Sequence, residues 1–502
     1  MNRRTALKMI LGSGLCAMGS PRWLEAAARS SDGQTVSGEH GMIGDAEKAS
    51  AAHNDNPGAQ WYPHAGFGLF LHWGLACVRG INISWTMIPG RALARERLSP
   101  DELARVIREE DWNLNGKPPF ITPNEYWAQA KEFNPDHFDP EKWCQAAKEA
   151  GFVYAVLTTK HHEGFALWPS KFGNFNTTLY AGGKDLVKGY VQACRKYGLK
   201  VGLYFSGPDW HFDRDYMNFL YGGAVKRNPG LPSLDADLKP RKTRPTDLAR
   251  HDAEFAALFK GQIEELLTGY GEVNVLWFDG KPNFPHPEEV IPLSRIRQLQ
   301  PQIVVDGRLH GQGDFYTYER AIPARKTVAG WAELCQTWTD NWSYIPNEPY
   351  RSNGWILGEL VRCRSMGINF LLGTGPRSDG QLAPEAYANM ADVTGWMEKN
   401  SAAAHDVEPL PAEKASVPGS IKGNVIFLYL IPRYRGDGMM NSAELAPRDE
   451  SPSLNGDYKV ASAILLADGE PVEMKTQQGS ITFNVPASRR TKLVDVIAVQ
   501  LA

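Results

Sequence analysis

The feature that most constrains the fold is a series of short apolar runs, five of which end in polar or aromatic residues. Gly66 to Gly74, Tyr154 to His162, Lys200 to Ser206, Val273 to Asp279, Ile303 to Arg308 and Ile368 to Leu372 read as strands. They are nearly continuous in apolar character, as strands covered on both faces must be. Helical stretches lie between them. Asp139 caps one, with Pro140 in its first turn and Gly151 at its end. Asp185 to Tyr197 is closed by Gly198 and His251 to Tyr270 by Gly271, and Pro292 to Leu299 is a fourth. The alternation predicts a (β/α)8-type barrel over residues 57–404, with an open doubly wound sheet as the alternative. No glycine-rich phosphate loop follows the first strand, which counts against a nucleotide-binding sheet.

A chain of 502 residues is too long for one ordinary core, so a second domain is expected. Past about residue 405 the texture changes: Asn424 to Leu430 and Ser480 to Val485 are short β-rich runs set between Gly, Asn and Pro turns. Residues 405–502 are therefore expected to form a C-terminal β-sandwich that packs against the barrel. Residues 211–250 are basic, proline-containing and aperiodic, and read as a long loop over the site.

At the other end, Arg3-Arg4 precede the apolar run Met9 to Met18, and Ala26-Ala27-Ala28 offers a cleavage site. Residues 1–28 thus read as a twin-arginine-type signal, with export to the periplasm or medium as the expectation. Residues 29–56, rich in Ser, Gly, Ala and Asp, read as a flexible linker. Cys77, Cys144, Cys194, Cys335 and Cys363 form no C-x-x-C pair and are expected to be buried free thiols. The net charge of −3, with both signs interspersed, argues against a nucleic-acid partner. The 15 Trp and 18 Tyr suit stacking against sugar rings as well as core packing.

Barrel chemistry sits at the C-terminal ends of the strands. Those ends carry His72 with Trp73, His161 with His162, Tyr204, Trp277 with Asp279, and Arg308. A metal is the first candidate. His72 stands alone where metal-dependent hydrolases of this fold carry His-x-His, and adjacent histidines on a regular strand point to opposite faces. Both facts speak against zinc. The second candidate is the carboxylate pair that glycoside hydrolysis needs, one group as nucleophile and one as proton donor. Asp279 ends V-L-W-F-D-G, and Glu319 in G-D-F-Y-T-Y-E-R is a credible partner on another segment.

F-G-L-F-L-H-W-G, L-T-T-K-H-H-E-G-F-A-L-W-P-S, V-L-W-F-D-G, G-D-F-Y-T-Y-E-R and N-F-L-L-G-T-G-P occur in this order over residues 58–400. Together they resemble glycoside hydrolase family 29, the α-L-fucosidases. The resemblance implies a retaining exo-glycosidase without cofactor or metal, acting on fucosylated glycans. It implies Asp279 as nucleophile and Glu319 as acid/base. His72, His161, His162, Tyr204, Trp277 and Arg308 match positions that hold the sugar, and Trp85 and Trp342 match its apolar walls. Two positions depart from the family pattern. Ser84 stands where many members have Glu, which leaves a substituted fucose or an α-L-galactoside as an alternative substrate. Residues 314–323 resemble the subgroup acting on α-1,3/4-linked fucose, in which Pro is usual at the position of Tyr318. A non-catalytic sugar-binding protein is the alternative of another class.

Overall fold

The computed structural model describes residues 53–113, 120–243, 245–435 and 443–502. The expected signal, and the expected linker up to residue 52, lie outside the described residues. Eight parallel strands form one sheet: β1 Phe67–Leu71, β2 Tyr154–Lys160, β3 Lys200–Ser206, β4 Val275–Asp279, β5 Val304–Val305, β6 Phe315–Glu319, β7 Trp331–Thr337 and β8 Asn369–Thr374. The order β5-β4-β3-β2-β1-β8-β7-β6 is that of a barrel whose seam falls between β5 and β6. That seam is closed by a single parallel bridge between Asp306 and Phe315. Asp314 completes it. Its backbone N–H donates to Val305 O at 2.7 Å, and its carboxylate accepts from the Val305 N–H at 2.8 Å.

The helical layer is α1 Pro140–Glu149, α2 Leu186–Lys196, α3 Leu248–Gly269, α4 Leu293–Leu299, α5 Asn353–Arg364 and α6 Pro384–Ala404. These follow β1, β2, β3, β4, β7 and β8. The links after β5 and β6 carry no helix, so the barrel departs there from a full (β/α)8 repeat. Asp139 caps α1 as the sequence predicts, and Asp185 caps α2, each accepting from the third backbone N–H of its helix. Residues 211–250 hold one short helix, Gly222–Arg227, before α3 begins at Leu248.

Inside the barrel, below the strand ends, Phe70, Tyr154, Val156, Tyr204, Trp277, Phe315 and Leu371 form a buried cluster. Glu333 of β7 stands among them, fully buried. It accepts hydrogen bonds from the Tyr62 hydroxyl at 2.9 Å, from the Tyr154 hydroxyl, and from Trp277 Nε1 at 2.9 Å. Three donors are what a desolvated carboxyl needs to be tolerated at all.

The C-terminal part folds as two antiparallel sheets, one of five strands and one of three, around Ile426, Leu428, Leu454, Phe483 and Ile497. Its outer face packs on α5 and α6. Tyr429 donates to Ala403 O at 2.6 Å and Trp396 Nε1 to Val494 O at 2.7 Å. The buried Arg364 reaches Pro63 O, Val407 O and Asn369 Oδ1, and so ties the first strand's approach to this second domain. The five described cysteines are all buried and none forms a disulfide.

Gly68 of β1 shows how tightly the bore is filled: a Cβ there would lie 2.2 Å from the Tyr154 ring. That ring is fixed by its bond to Glu333 and has no room to retreat. Gly68→Ala is therefore expected to destabilise the protein by about 1–3 kcal/mol, the usual cost of overpacking. The denaturant midpoint measures it; an unchanged midpoint would mean that Tyr154 is free to move.

Candidate active site

Arg308 is the centre of the site. Its Nη1 donates to Asp279 Oδ1 at 2.8 Å and its Nη2 to Glu319 Oε2 at 2.9 Å. Nε donates to Thr317 Oγ1 at 2.8 Å, which fixes the plane of the guanidinium. One cation thus grips the carboxylate at the end of β4 and the one at the end of β6. The guanidinium also lies over the Trp277 ring, 4.5 Å from its centroid. Trp277 is held from below by Glu333 and stacks on Tyr204 with centroids 5.5 Å apart. Tyr204 in turn donates to Asp279 Oδ2 at 2.7 Å. Burial, then the Asp279 charge, pushes the Tyr204 phenol well above its ordinary value, so it stays a donor.

The two histidines reach the same side because β2 ends before them. Its pairing with β3 shifts register between Thr158 and Lys160, and the strand stops at Lys160. A turn follows, in which Gly164 N–H donates to His161 O at 2.9 Å. Gly164 has φ +89°, and a Cβ there would meet Asp209 Oδ1 at 2.2 Å, so the K-H-H-E-G-F block requires glycine. The two imidazole centroids are 4.1 Å apart, and His161 stacks on Tyr204 at 5.5 Å.

Their hydrogen bonds fix the tautomers. Ser206 Oγ donates its one proton to Pro208 O at 2.5 Å, so at 2.7 Å from His162 Nδ1 it can only accept. His162 therefore carries its proton on Nδ1, and Nε2 presents a lone pair 3.5 Å from Asp279 Oδ2. Ser84 does the same for His161. Its hydroxyl donates to Glu163 Oε2 at 2.5 Å and receives His161 Nδ1–H at 2.7 Å. Both rings thus turn an acceptor toward the strand ends, as recognition of sugar hydroxyl protons requires. His72 Nδ1 is buried with no hydrogen-bond partner among the described residues, which is costly unless a ligand satisfies it. Burial, with the charges of neighbouring groups, depresses both His72 and His162 well below the ordinary imidazole value.

Aromatic walls complete the cleft. Trp85 meets His162 and Trp210 edge-on at 5.6 and 5.3 Å, and Trp342 lies 4.8 Å from His72. All ten residues named from the sequence are thus linked into one constellation. His161, His162 and Asp279 place ligand atoms close enough for a metal ion. Arg308 already sets a positive charge against Asp279, however, and a second cation there would be repelled.

A profile of the α-L-fucosidase family matches residues 39–402. The chain belongs to the α-L-fucosidase family. It is 27% identical to the human tissue alpha-L-fucosidase over 405 residues, 77% of this chain and 78% of that protein. The bovine tissue enzyme is 26% identical over 398 residues, 76% of this chain and 77% of that one. Among solved structures, alpha-L-fucosidase isoenzyme 1 from Paenibacillus thiaminolyticus superposes with TM-score 0.67 at 28% identity, covering 89% of this chain and 99% of its own. A Bacteroides thetaiotaomicron α-L-fucosidase, trapped as a covalent intermediate, has TM-score 0.67 at 21% identity, with 92% and 99% covered. Neither an α-L-galactosidase nor a non-catalytic sugar binder is favoured by these likenesses.

Within the fucosidase site, sequence reasoning missed Glu333, Ser206, Thr317 and Glu163. Glu333 and Thr317 lie on β7 and β6, which did not read as strands. Glu163 and Ser206 were in view as the residues following the His pair and closing K-V-G-L-Y-F-S.

The depressed histidines give this fucosidase-family site a pH signature. Below about pH 6.5 the unfolded chain takes up protons that folded His72 and His162 refuse, so stability falls with pH until the folded values are reached. His162→Gln is expected to make that acid-side slope shallower by up to about 1.4 kcal/mol per pH unit. Denaturant midpoints between neutral and mildly acid pH measure it; an unchanged slope would place the His162 proton uptake within the normal range.

Proposed function

We propose that the protein is an exported, retaining exo-α-L-fucosidase acting on fucosylated glycans, with the linkage read as α-1,3/4. The observation that carries the reading is the grip of one guanidinium on Asp279 and Glu319. It brings two carboxyl groups to one cation at the mouth of the barrel, as a pair acting on one glycosidic bond must be brought together, and a retaining pair stands about 5–5.5 Å apart. The Bacteroides thetaiotaomicron relative, described as a covalent intermediate formed with 2-fluoro-fucosyl fluoride, supports the same course.

In this reading Asp279 attacks the anomeric carbon while Glu319 protonates the departing glycosidic oxygen, giving a β-fucosyl-enzyme. Tyr204 and Arg308 compensate the Asp279 charge while it is free and let it go as the new C–O bond forms. Glu319, now ionised, takes a proton from water, which attacks the same carbon and releases α-L-fucose with Asp279 restored. Glu319 must hold a proton when the substrate binds and is ionised only between the two steps, when Arg308 can pair with it while Asp279 is esterified. His161 and His162 accept from ring hydroxyls through Nε2, and Trp342 and Trp85 provide the apolar walls. Recognition that a family glutamate would supply at position 84 falls here to the His161–Ser84–Glu163 chain.

Asp279→Ala is expected to lower kcat at least ~10⁴-fold on aryl α-L-fucosides, a loss of the size seen when a nucleophile is removed. Glu319→Ala should lose ~10²–10⁴-fold on a fucosylated trisaccharide, as general acid catalysis is worth. It should lose far less on an activated aryl fucoside, with azide restoring part of the rate by opening the β-fucosyl-enzyme to an α-fucosyl azide. Equal losses on both substrates would remove Glu319 from the acid/base role. Fractionation checks the export reading: replacing Arg3 and Arg4 by Lys should keep the protein in the cytoplasm.

A further inference from the structure

Directly after Glu319 the backbone makes an uncommon move. Arg320 has φ +60°, a left-handed conformation that a long side chain rarely adopts. Ala321 N–H donates back to Glu319 O at 2.7 Å, so Glu319, Arg320 and Ala321 form a γ-turn of the strained hand. The turn is pinned on both sides. Arg320 N–H donates to Cys335 O at 2.9 Å, and Gln336 Nε2 donates to Arg320 O at 2.5 Å. Strain of this kind costs about 1–3 kcal/mol and persists where the surroundings impose it, most often at a functional site.

The turn redirects the guanidinium. A strand continuing from Glu319 would carry Arg320 to the opposite face. Instead the guanidinium lies over Trp342, 4.9 Å from the ring centroid, and Nη1 donates to Asp340 O at 3.0 Å. No carboxylate pairs with it among the described residues, whereas Arg308 pairs with two and Arg351 with one. Its charge is felt within the cleft, where it helps to keep His72 neutral. On the other wall Arg91 lies over Trp85 at 5.3 Å, so both tryptophan walls carry an arginine.

We propose that Arg320 is a specificity-determining residue that recognises an anionic group, sulfate or carboxylate, on the branched glycan that leaves. The proposal rests on the fucosidase reading, because it takes Glu319 to mark the leaving-group side. The residue after the proton donor is on that side of the cleft, half-buried and positively charged. A planar guanidinium with free N–H groups matches the paired oxygens of a carboxylate or sulfate. A neutral glycan gives it nothing comparable.

The test compares kcat/KM on three substrates: a neutral Lewis-type trisaccharide, the same with a sialic acid on its galactose, and the same with a sulfate ester there. An aryl α-L-fucoside serves as reference. The wild-type protein is expected to favour one or both anionic substrates about tenfold over the neutral one, the worth of one charge-assisted hydrogen bond. A preference for the sialylated substrate alone assigns a carboxylate, and one for the sulfated substrate alone assigns a sulfate. The preference should shrink as salt rises. Arg320→Asn tolerates the left-handed backbone while deleting the charge, and should bring the ratio of anionic to neutral kcat/KM to about one. Arg320→Lys should keep part of it. A wild-type ratio at or below one, or a ratio unmoved in Arg320→Asn, overturns the proposal. Loss of aryl fucoside turnover in the wild-type protein would instead overturn the fucosidase reading, and this inference with it.

Discussion

Every part of the site leans on one buried cation. Arg308 sets one positive charge between two carboxyl groups that repel each other when both are ionised. Removing one partner of such a group leaves an uncompensated buried charge, at a cost of about 3–5 kcal/mol. Thr317 sets the plane of the guanidinium and Trp277 supports its face. Trp277 is itself steadied by Glu333 in the bore, whose carboxyl burial pushes above its ordinary value despite three donors. The chain of contacts from Tyr62 through Glu333, Trp277 and Arg308 to Asp279 and Glu319 runs from the floor of the barrel to its mouth. The positions of these two carboxyl groups are therefore set by packing deep in the fold.

The histidine pair follows the same logic by other means. Two serines, each with a single proton committed elsewhere, force both imidazoles into the same tautomer. Ser84 does this from a left-handed backbone position, φ +48°, and Arg320 next to Glu319 adopts another. Strained residues thus stand on both sides of the cleft, one behind the histidine pair and one behind the acid/base candidate. Ser84 has no carboxylate to offer the sugar. The buried Glu163 keeps the negative charge in the network, one hydroxyl further from the cleft.

Most of this was legible in the sequence, and the failures have physical causes. β1 to β4 and β8 announce themselves because strands buried on both faces must be apolar throughout. The polar residues that close them, His72, Tyr204 and Asp279, are in plain view for the same reason. β6 and β7 were hidden. W-A-E-L-C-Q-T carries Glu333 and Gln336 at buried positions, and their polarity masks a strand whose partners are supplied by distant segments. F-Y-T-Y-E is only half buried and reads as a loop. Two of the eight expected helices are missing because β5, β6 and β7 are joined by short links that leave no room for them. The convergence of His161 and His162 depended on a break in β2 that periodicity alone does not show. Arg308 was named as a sugar contact and as a charge near Asp279. Its grip on Glu319 was not visible, since 11 residues of chain and the barrel seam separate them.

The central claim is that Asp279, held by Arg308 and Tyr204, forms the covalent bond to the sugar. Incubation with a 2-fluoro-fucosyl fluoride, followed by intact-mass measurement and peptide mapping, tests it most directly. The account predicts one fluorofucosyl group per chain, on the peptide bearing Asp279, and none in Asp279→Asn. A label on Glu319 would contradict it. So would an active, unlabelled enzyme whose first-formed product is β-L-fucose.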